Sequence, residues 1–389
     1  MIDKSAITVH PLSEFLTEYK ELNSENLYKP VAVGRYGIRT RESIYSKELA
    51  VDYSKNRLIY KGTLTVGMGS VQMDIGILSD DVTYSVSPAY HTYKIHGVDY
   101  DYLRYCLQCR NMDMFTRYMK RGSRQGKSID LGRWIGYEIP IYPHEMQLDI
   151  VDRLNRVQAI IDMRQQELQK LDNLVKARFV EMFGDPVINP MDWPTKPLLE
   201  MGYCKNGMNF HTGDSGIEMH CLGVGDFKDY SVIDGTDYLP TISLNEAPPE
   251  ESMLQDGDLV FVRSNGNKAL VGRCLLVYPH NTPTTYSGFC IRYRLTSAEV
   301  NIVYLLRVLK TDSMRKKMAG RGANIQNLNQ QILAALNIPT PPLELQERFT
   351  AFVEQIDKSK VVESIHRMNV LFNITLNGGN RYDSGTTEF

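Results

Sequence analysis

The chain has 389 residues, of which 42% are hydrophobic, and its formal net charge at pH 7 is −2. A chain of this length exceeds the usual size of one hydrophobic core, so two or more globular units are expected. The near-neutral charge excludes a uniformly basic nucleic-acid binder, and any DNA-binding surface must be local. Six scattered cysteines, the absence of an apolar leader and the absence of a long apolar run predict a soluble cytoplasmic protein with no membrane contact.

The first half of the chain begins with short strand-like runs and ends in a helix. The run from Arg57 to Tyr60 has the composition of a strand, and Gly62, Gly67 and Gly69 mark turns after it. The segment from Tyr102 to Met119 lacks Gly and Pro and has apolar residues at helical spacing. The pattern predicts a small, turn-rich sheet followed by a helix.

A long helix is predicted next, from Gln147 to Phe183, because this segment contains no Gly or Pro and carries a heptad-like apolar seam with two arginine interruptions. At 1.5 Å per residue it would reach about 55 Å, more than the width of a small domain. The seam needs a partner, since apolar surface left in water costs about 25 cal/mol per Å². Its predicted coiled-coil positions are Ile150, Leu154, Val157, Ile161, Leu168, Leu171 and Val175.

The second half repeats the first, with a strand-like run from Asp258 to Val262 and a predicted helix from Tyr304 to Met318. Anchor residues recur at a nearly constant displacement of 199 to 202 positions, and between them the halves differ freely. The repeat therefore predicts two domains that share one fold and differ in the residues of their surface loops. The anchors are the pairs Ser87 and Ser287, Tyr93 and Tyr293, Tyr102 and Tyr304, Ile139 and Ile338, and Gln147 and Gln346.

The last predicted helix, from Leu343 to Phe372, has an apolar seam that slips phase between Ile356 and Val361. Each long helix could pack only on its own domain, as ordinary amphipathic helices do. The duplication favours an antiparallel pair that leaves the globular units at opposite ends. The predicted coiled-coil positions of this helix are Phe349, Val353, Ile356 and Ile365.

Positive charge is concentrated in the second half of each shorter helix and in the turn after it, where acidic residues barely offset it. Such a run is usually a solvated face, but two clusters at equivalent repeat positions predict two phosphate-facing surfaces. The clusters are Arg117, Lys120, Arg121, Arg124, Lys127 and Arg133 in the first half, and Arg307, Lys310, Arg315, Lys316, Lys317 and Arg321 in the second.

Sequence discrimination requires side chains that reach base edges, such as Arg for guanine and Asn or Gln for adenine. The divergent loops contain such groups, and we expect fewer than about half of them to touch a base, because most protein–DNA bonds go to phosphate and sugar. The candidates are Arg35, Arg39, Arg41, Lys61 and Gln72 in the first half, and Asn209, His211, Lys228, Arg263, Asn265 and Lys268 in the second.

Motifs for catalysis or for holding a metal or cofactor are not found. Cys106 and Cys109 form a Cys-x-x-Cys inside a predicted helix without a second pair at zinc spacing, so both are predicted to be core thiols. The glycine pairs lack the rest of a phosphate-binding fingerprint, and the histidines show no metal spacing. The chain is predicted to be non-catalytic, with no metal or cofactor of its own.

Over nearly its whole length the chain resembles the specificity subunits of type I restriction-modification systems. The most specific stretch runs from Ile139 to Pro186, with a partner from Asn337 to Lys360. The resemblance implies an α+β fold in which two related target recognition domains, each a small turn-rich sheet plus helices, are separated by two long antiparallel helices that form a coiled coil. The implied boundaries are 1–143 for the first recognition domain, 144–184 for the first spacer helix, 185–342 for the second domain, 343–372 for the second helix and 373–389 for a flexible tail.

The resemblance also implies that each domain reads one half of a bipartite, asymmetric site on double-stranded DNA. Its partners would be two modification subunits, which bind S-adenosylmethionine and methylate adenine, and restriction subunits, which need ATP and Mg²⁺. Two other interpretations stay open: a protein-binding adaptor with two repeats on a helical spacer, and a self-contained nuclease or methyltransferase. The adaptor predicts no salt-dependent DNA affinity. The enzyme predicts turnover by the purified chain with magnesium or S-adenosylmethionine.

Overall fold

The computed structural model describes residues 7–34, 37–44, 52–122, 126–210, 213–227, 231–319 and 327–360. Contacts divide the chain into two units, Met1–Asp162 and Met163–Phe389. Within the described ranges, no helix combines the length and apolar character needed to cross a membrane. The predicted coiled-coil position Ile365 and the predicted tail, residues 373–389, lie outside the described residues.

The first unit consists of short strands, short helices and the beginning of a long helix. Its strands are β1 Thr8–Pro11, β2 Leu16–Tyr19, β3 Val31–Gly34, β4 Gly37–Thr40, β5 Arg57–Ile59, β6 Thr63–Met68, β7 Met73–Ile77, β8 Tyr84–Val86, β9 His91–Ile95, β10 Met119–Gly122, β11 Gly126–Ile129 and β12 Glu138–Ile141. Its helices are α1 Tyr100–Cys109, α2 Asn111–Tyr118, α3 Leu131–Trp134 and α4 His144–Phe183, which continues into the second unit.

The core of the first unit lies between its central sheet and helices α1 to α3. The sheet is antiparallel with strand order β2-β9-β6-β7, and β1 pairs with β12 outside it. Leu64, Tyr93 and Leu103 are buried together beneath the helices. Trp134 is fully buried and donates its indole N–H to the sulfur of Met114 at 3.3 Å, so even the polar atom of this ring has a partner.

The second unit uses the same kinds of element. Its strands are β13 Thr195–Pro197, β14 Gly202–Asn206, β15 Ile217–Leu222, β16 Val232–Asp234, β17 Thr241–Leu244, β18 Asp258–Val262, β19 Cys274–Tyr278, β20 Thr284–Tyr286, β21 Cys290–Leu295 and β22 Asn337–Pro339. Its helices are α5 Ile302–Lys310, α6 Asp312–Ala319, α7 Gln330–Ala334 and α8, residues 343–360. The main sheet has the order β14-β21-β18-β19-β16, whose first four strands repeat the order of the first unit.

The anchors of the sequence repeat make the same hydrogen bonds in both units. The side-chain oxygen of Gln147 accepts from the backbone N–H of Asp99 at 2.9 Å, and that of Gln346 accepts from Asn301, also at 2.9 Å. Each glutamine then donates to a carbonyl in the proline turn before its own helix, at 2.7 Å in both cases. Both glutamines are buried, so each ties the start of a long helix to the start of a shorter one.

The predicted helices from Tyr102 to Met119 and from Tyr304 to Met318 are each two helices, so the prediction of single helices is wrong. The first breaks at Arg110, where φ is −104° and ψ is 5°. The second breaks at Thr311, which is extended with φ −65° and ψ 148°. The Thr311 hydroxyl accepts from the backbone N–H of Met314 at 3.4 Å, and this side-chain cap starts a new helix.

The predicted long helix is present from His144 to Phe183, and it therefore begins three residues before the predicted segment, which starts at Gln147, and at the boundary implied by the resemblance. The seam positions are less exposed than the charged residues beside them, because the apolar stripe recurs every three or four residues. Ile150, Leu154, Val157, Ile161, Leu168 and Leu171 are partly buried, and Val175 is fully buried.

Within the second unit, the end of α4 packs antiparallel to α8. The ring of Phe349 lies 5.6 Å, centroid to centroid, from the rings of both Phe179 and Phe183. Nearer the other end of α8, Lys360 Nζ lies 2.6 Å from Asp172 Oδ1. Val353 and Ile356 are also buried, so three of the predicted positions on this helix face the core of the unit.

The cysteines differ sharply in accessibility. Burial raises the pKa of the Cys204, Cys221 and Cys290 thiols to about 12 and that of Cys274 to about 11. Cys109 is the exposed one of the six. The prediction of a core thiol is therefore correct for Cys106, which is buried, and wrong for Cys109, which lies on the outer face of α1.

We expect a maleimide reagent at pH 7 to modify the native chain at Cys109 and to leave the other thiols unmodified, because a buried thiol of raised pKa offers neither access nor thiolate. Mass spectrometry of labelled peptides measures this directly. The Cys109→Ser variant should take up no label until the chain is unfolded in urea. Rapid labelling of Cys221 or Cys290 in the native chain would contradict the buried position of these strands.

Candidate nucleic-acid interface

In the first unit, two turns meet at one end of the central sheet. The turn 69–72 joins β6 to β7, the turn 87–90 joins β8 to β9, and the hairpin β10–β11 packs beside β6. The ring of Tyr90 covers Gly67 so closely that a Cβ there would lie 2.4 Å from a ring atom. The hydroxyl of Tyr90 donates to the carbonyl of Val33 at 3.0 Å, which holds β3 at the same end of the sheet. We call this end the loop edge of the sheet.

The second unit has a loop edge built in the same way. The loop 263–273 joins β18 to β19 and is much longer than its counterpart, and the turn 287–290 joins β20 to β21. The backbone N–H of Arg263 donates to the carbonyl of Phe289 at 2.8 Å, which joins the loop to the turn. Ser264 forms an isolated bridge with Asn327, so the chain after α6 also reaches this edge.

Two predicted base-reading residues converge on Gly288 in this turn. Arg263 Nη1 donates to the Gly288 carbonyl at 3.3 Å. A Cβ at Gly288 would lie 2.1 Å from Asn209 Oδ1, so the exposed Asn209 side chain lies directly against the backbone of this turn. An amide and a guanidinium, the groups that pair with adenine and guanine, therefore stand side by side at the loop edge.

The other predicted residues of this loop have different positions. The side-chain oxygen of Asn265 accepts from the backbone N–H of Asn267 at 2.7 Å, and it shapes the loop. Lys268 is exposed on the short helical turn that follows. Arg315 on α6 donates to the carbonyl of Ala269 at 3.1 Å, which brings the basic face of α6 against this loop. Lys316 and Lys317 are exposed next to Arg315 on α6.

The prediction of an exposed basic cluster in the second unit is wrong for two of its residues, Arg307 and Lys310. Burial lowers the pKa of both side chains, and for Arg307 the nearby Asp357 and Asp172 oppose that shift. Lys310 Nζ donates to Ser231 Oγ at 2.6 Å inside the unit. These two side chains are largely withdrawn from solvent within the unit and do not form a phosphate-facing surface.

The basic cluster of the first unit is partly neutralised by acidic neighbours, contrary to the prediction. Arg117 Nε lies 2.7 Å from Asp113 Oδ1, and Lys120 Nζ lies 2.8 Å from Asp130 Oδ2. The Tyr137 hydroxyl and Arg117 lower the pKa of the Asp113 carboxyl, and Lys120 lowers that of Asp130. Lys120 also belongs to the hairpin β10–β11 and not to a helix, because α2 ends at Tyr118.

Three candidates of the first unit lie apart from the loop edge or have other roles. Lys61 is exposed just before β6 begins, at the end of that strand opposite to the turn 69–72. Arg41 stacks its guanidinium 5.5 Å from the Tyr53 ring centroid. Arg39 is exposed on β4 and lines a pocket of about 280 Å³ together with Arg104. The structure therefore does not bring these three residues together with the basic hairpin.

Some candidates cannot be placed on either surface. Arg121 and Lys127 are described as paired strand positions of the hairpin β10–β11 only. The candidates outside the described residues are Arg35, Arg124, His211, Lys228 and Arg321.

Residues 249–369 match the family model of the type I restriction modification DNA specificity domain. The type I restriction enzyme StySPI specificity subunit of Salmonella potsdam is 25% identical over 237 residues, which cover 56% of this chain and 50% of that protein. The chain is therefore similar in sequence to type I specificity subunits. It spans about half the length of the curated relative that it matches.

Solved structures align with nearly the whole length of the chain. One comes from a study of the structural basis underlying complex assembly and conformational transition of the type I R-M system, with a TM-score of 0.50, 17% identity, and 95% of each chain covered. The S subunit from M. genitalium gives a TM-score of 0.48 at 13% identity, covering 95% of this chain and 96% of that one. At such identities the first likeness concerns the mixed α and β fold alone.

The interpretation of the sequence missed one prominent residue of the loop edge in the second unit. Phe289 is 61% exposed at the tip of the turn 287–290. The repeat anchors contained a signal, because Ser287 aligns with Ser87 and Phe289 therefore aligns with Ala89. Among the described residues, no group of three or more His, Cys, Asp or Glu side chains could hold a metal ion.

Proposed function

We propose that this chain is the DNA-reading subunit of a type I restriction-modification complex, in which each unit reads one half of a bipartite, asymmetric site on double-stranded DNA. The observation that carries the proposal is the repeated loop edge, where the same turn recurs in both units while the neighbouring loop differs in length and in side chains. In the second unit Asn209 and Arg263 converge on Gly288. Such groups discriminate bases by paired hydrogen bonds in the major groove.

In this proposal α4 and α8 form an antiparallel coiled-coil spacer that sets the distance between the two half-sites. A helix of 40 residues is about 60 Å long, and one turn of B-DNA is 34–36 Å. The contacts of Phe349 with the end of α4, and of Lys360 with Asp172, support the antiparallel pairing. The proposed recognition domains are residues 1–143 and 185–342, and the proposed spacer helices are residues 144–184 and 343–372.

The chemistry of such a complex would belong to its other subunits. Two modification subunits would bind S-adenosylmethionine and methylate adenine, and restriction subunits would use ATP and Mg²⁺. The residues of this chain would supply binding energy and sequence discrimination and would hold no cofactor. The proposal therefore predicts that the chain purified alone turns over neither S-adenosylmethionine nor ATP.

We expect Arg263→Ala to weaken specific DNA binding by about 1–3 kcal/mol, or about 5- to 150-fold, because the variant loses a paired contact to one base. Discrimination should relax at one position of one half-site only. The measurement is footprinting and affinity titration of the co-purified complex at several salt concentrations. The wild-type complex should protect two patches separated by an unprotected gap, with an affinity that falls linearly in a log–log plot against salt.

Lys61→Ala is the matched control, because this exposed cation lies at the opposite end of β6 from the loop edge of its unit. It should change the affinity by less than about two-fold. Equal losses for the two variants would reject the assignment of the loop edge. A complex without salt-dependent DNA affinity would reject DNA reading itself and support a protein-binding adaptor.

A further inference from the structure

The exposed ring of Phe289 sits on a rigid backbone. Its carbonyl accepts from the N–H groups of Arg263 and Ser264, at 2.8 and 3.3 Å, and its own N–H donates to Ser287 Oγ at 3.3 Å. Gly288, just before it, donates its N–H to the carbonyl of Met208 at 2.7 Å. A large apolar ring is therefore held in water by a fixed turn, although leaving apolar area exposed costs about 25 cal/mol per Å².

The fold of this turn does not require an aromatic residue. In the first unit the N–H of Tyr90 donates to the carbonyl of Ser87 at 3.0 Å, and in the second that of Cys290 donates to Ser287 at 2.8 Å. The same turn thus forms with Ala89 at the position of Phe289. The ring therefore distinguishes the second unit from the first and contributes nothing to the shape of the turn.

The surroundings of the ring indicate what it contacts. Asn209 and Arg263 flank the same turn and carry the chemistry that reads base edges in the major groove. The apolar group that the major groove presents is the C5-methyl group of thymine. Apolar wedges that unstack bases enter from the minor groove, where an amide and a guanidinium read a far more degenerate pattern.

We propose that Phe289 is a specificity-determining residue that packs on the C5-methyl group of a thymine in the half-site read by the second unit. The inference rests on the proposed function and deepens it, since it names one base and one contact. It also predicts that the two units use different chemistry at the same turn, with an apolar methyl contact available only to the second.

The test replaces each thymine of the recognised site, one at a time, by deoxyuridine, which removes only the methyl group. With the wild-type complex, one replacement should weaken binding about four-fold, the factor that corresponds to about 0.8 kcal/mol for one buried apolar carbon. With Phe289→Ala, affinity for the unmodified site should fall by a similar factor or more, and the same replacement should have no further effect. Ile188→Ala removes another exposed apolar side chain, 76% exposed after α4, and should behave as wild type.

Three results would overturn the inference. The first is an affinity of Phe289→Ala equal to that of the wild type. The second is an equal response of both proteins to every deoxyuridine. The third is a rise in 2-aminopurine fluorescence that depends on Phe289, which would reveal a wedge between bases. Failure of the proposed function is distinguishable, because the wild-type complex would then bind no specific site at all.

Discussion

Replacing Phe349 by alanine is expected to lower the free energy of unfolding of the second unit by about 3–5 kcal/mol. Phe349 is fully buried, and its ring contacts those of Phe179 and Phe183 edge-on at 5.6 Å. Phe183 in turn meets Tyr304 at 4.8 Å, so one aromatic cluster joins α4, α5 and α8. Truncation removes the ring that α8 contributes and leaves a cavity at the centre of this cluster.

The measurement is urea unfolding of the full chain followed by far-UV circular dichroism. Leu343→Ala is the matched control, since Leu343 begins the same helix and is 39% exposed. Its cost should be about 1 kcal/mol or less. Similar losses for the two variants would show that α8 is not anchored through its aromatic face.

Asp258→Ala is expected to cost about 3–5 kcal/mol, because it removes the carboxylate that compensates two arginines in the main sheet of the second unit. Asp258 is 1% exposed. Arg294 donates to both of its carboxylate oxygens at 2.8 Å, and Arg292, which is fully buried, lies 3.7 Å away. Without Asp258, Arg292 would remain as a fully buried cation without a compensating carboxylate, and Arg294, whose side chain is 17% exposed, would lose its paired carboxylate.

Urea unfolding again provides the measurement, with two companion variants. Asp256→Ala, two residues earlier, removes a carboxylate that is about half exposed and paired with His280, and should cost no more than about 1 kcal/mol. Adding Arg292→Met to Asp258→Ala should restore part of the lost stability, because it removes the stranded charge. A further loss in the double variant would indicate that Arg292 stabilises the sheet by contacts other than its charge.

The sequence predicted those features of the fold that repetition or periodicity marks. Gln147 and Gln346 are recognisable as equivalents, and both make the same pair of bonds. The apolar period of α4 predicted which residues face inward, from Ile150 to Val175. A repeated polar residue and a helical period are both local signals, so no knowledge of tertiary contacts was needed.

The site was less predictable because its properties depend on strand ends and burial. Lys61 and Arg263 are both cations beside a strand. Only the topology shows that Arg263 lies at the loop edge of its unit and that Lys61 lies at the opposite end of its own sheet. Arg307 has the same charge as Arg315, yet its helix face is buried. The charge of a side chain follows directly from the sequence, whereas its desolvation depends on which elements pack against it in the fold.

The pairing of β1 with β12, and of β13 with β22, has a consequence for how such chains can evolve. Each pairing brings the entry and exit of a unit to neighbouring strands, with Thr8 opposite Ile141 and Thr195 opposite Pro339. A genetic crossover within the segment of Ile139 and Pro140 would therefore exchange the whole stretch from β1 to β12 as one structural piece. If each unit reads one half-site, as we propose, such an exchange would change one half-site in a single event and leave the second unit and both long helices unchanged.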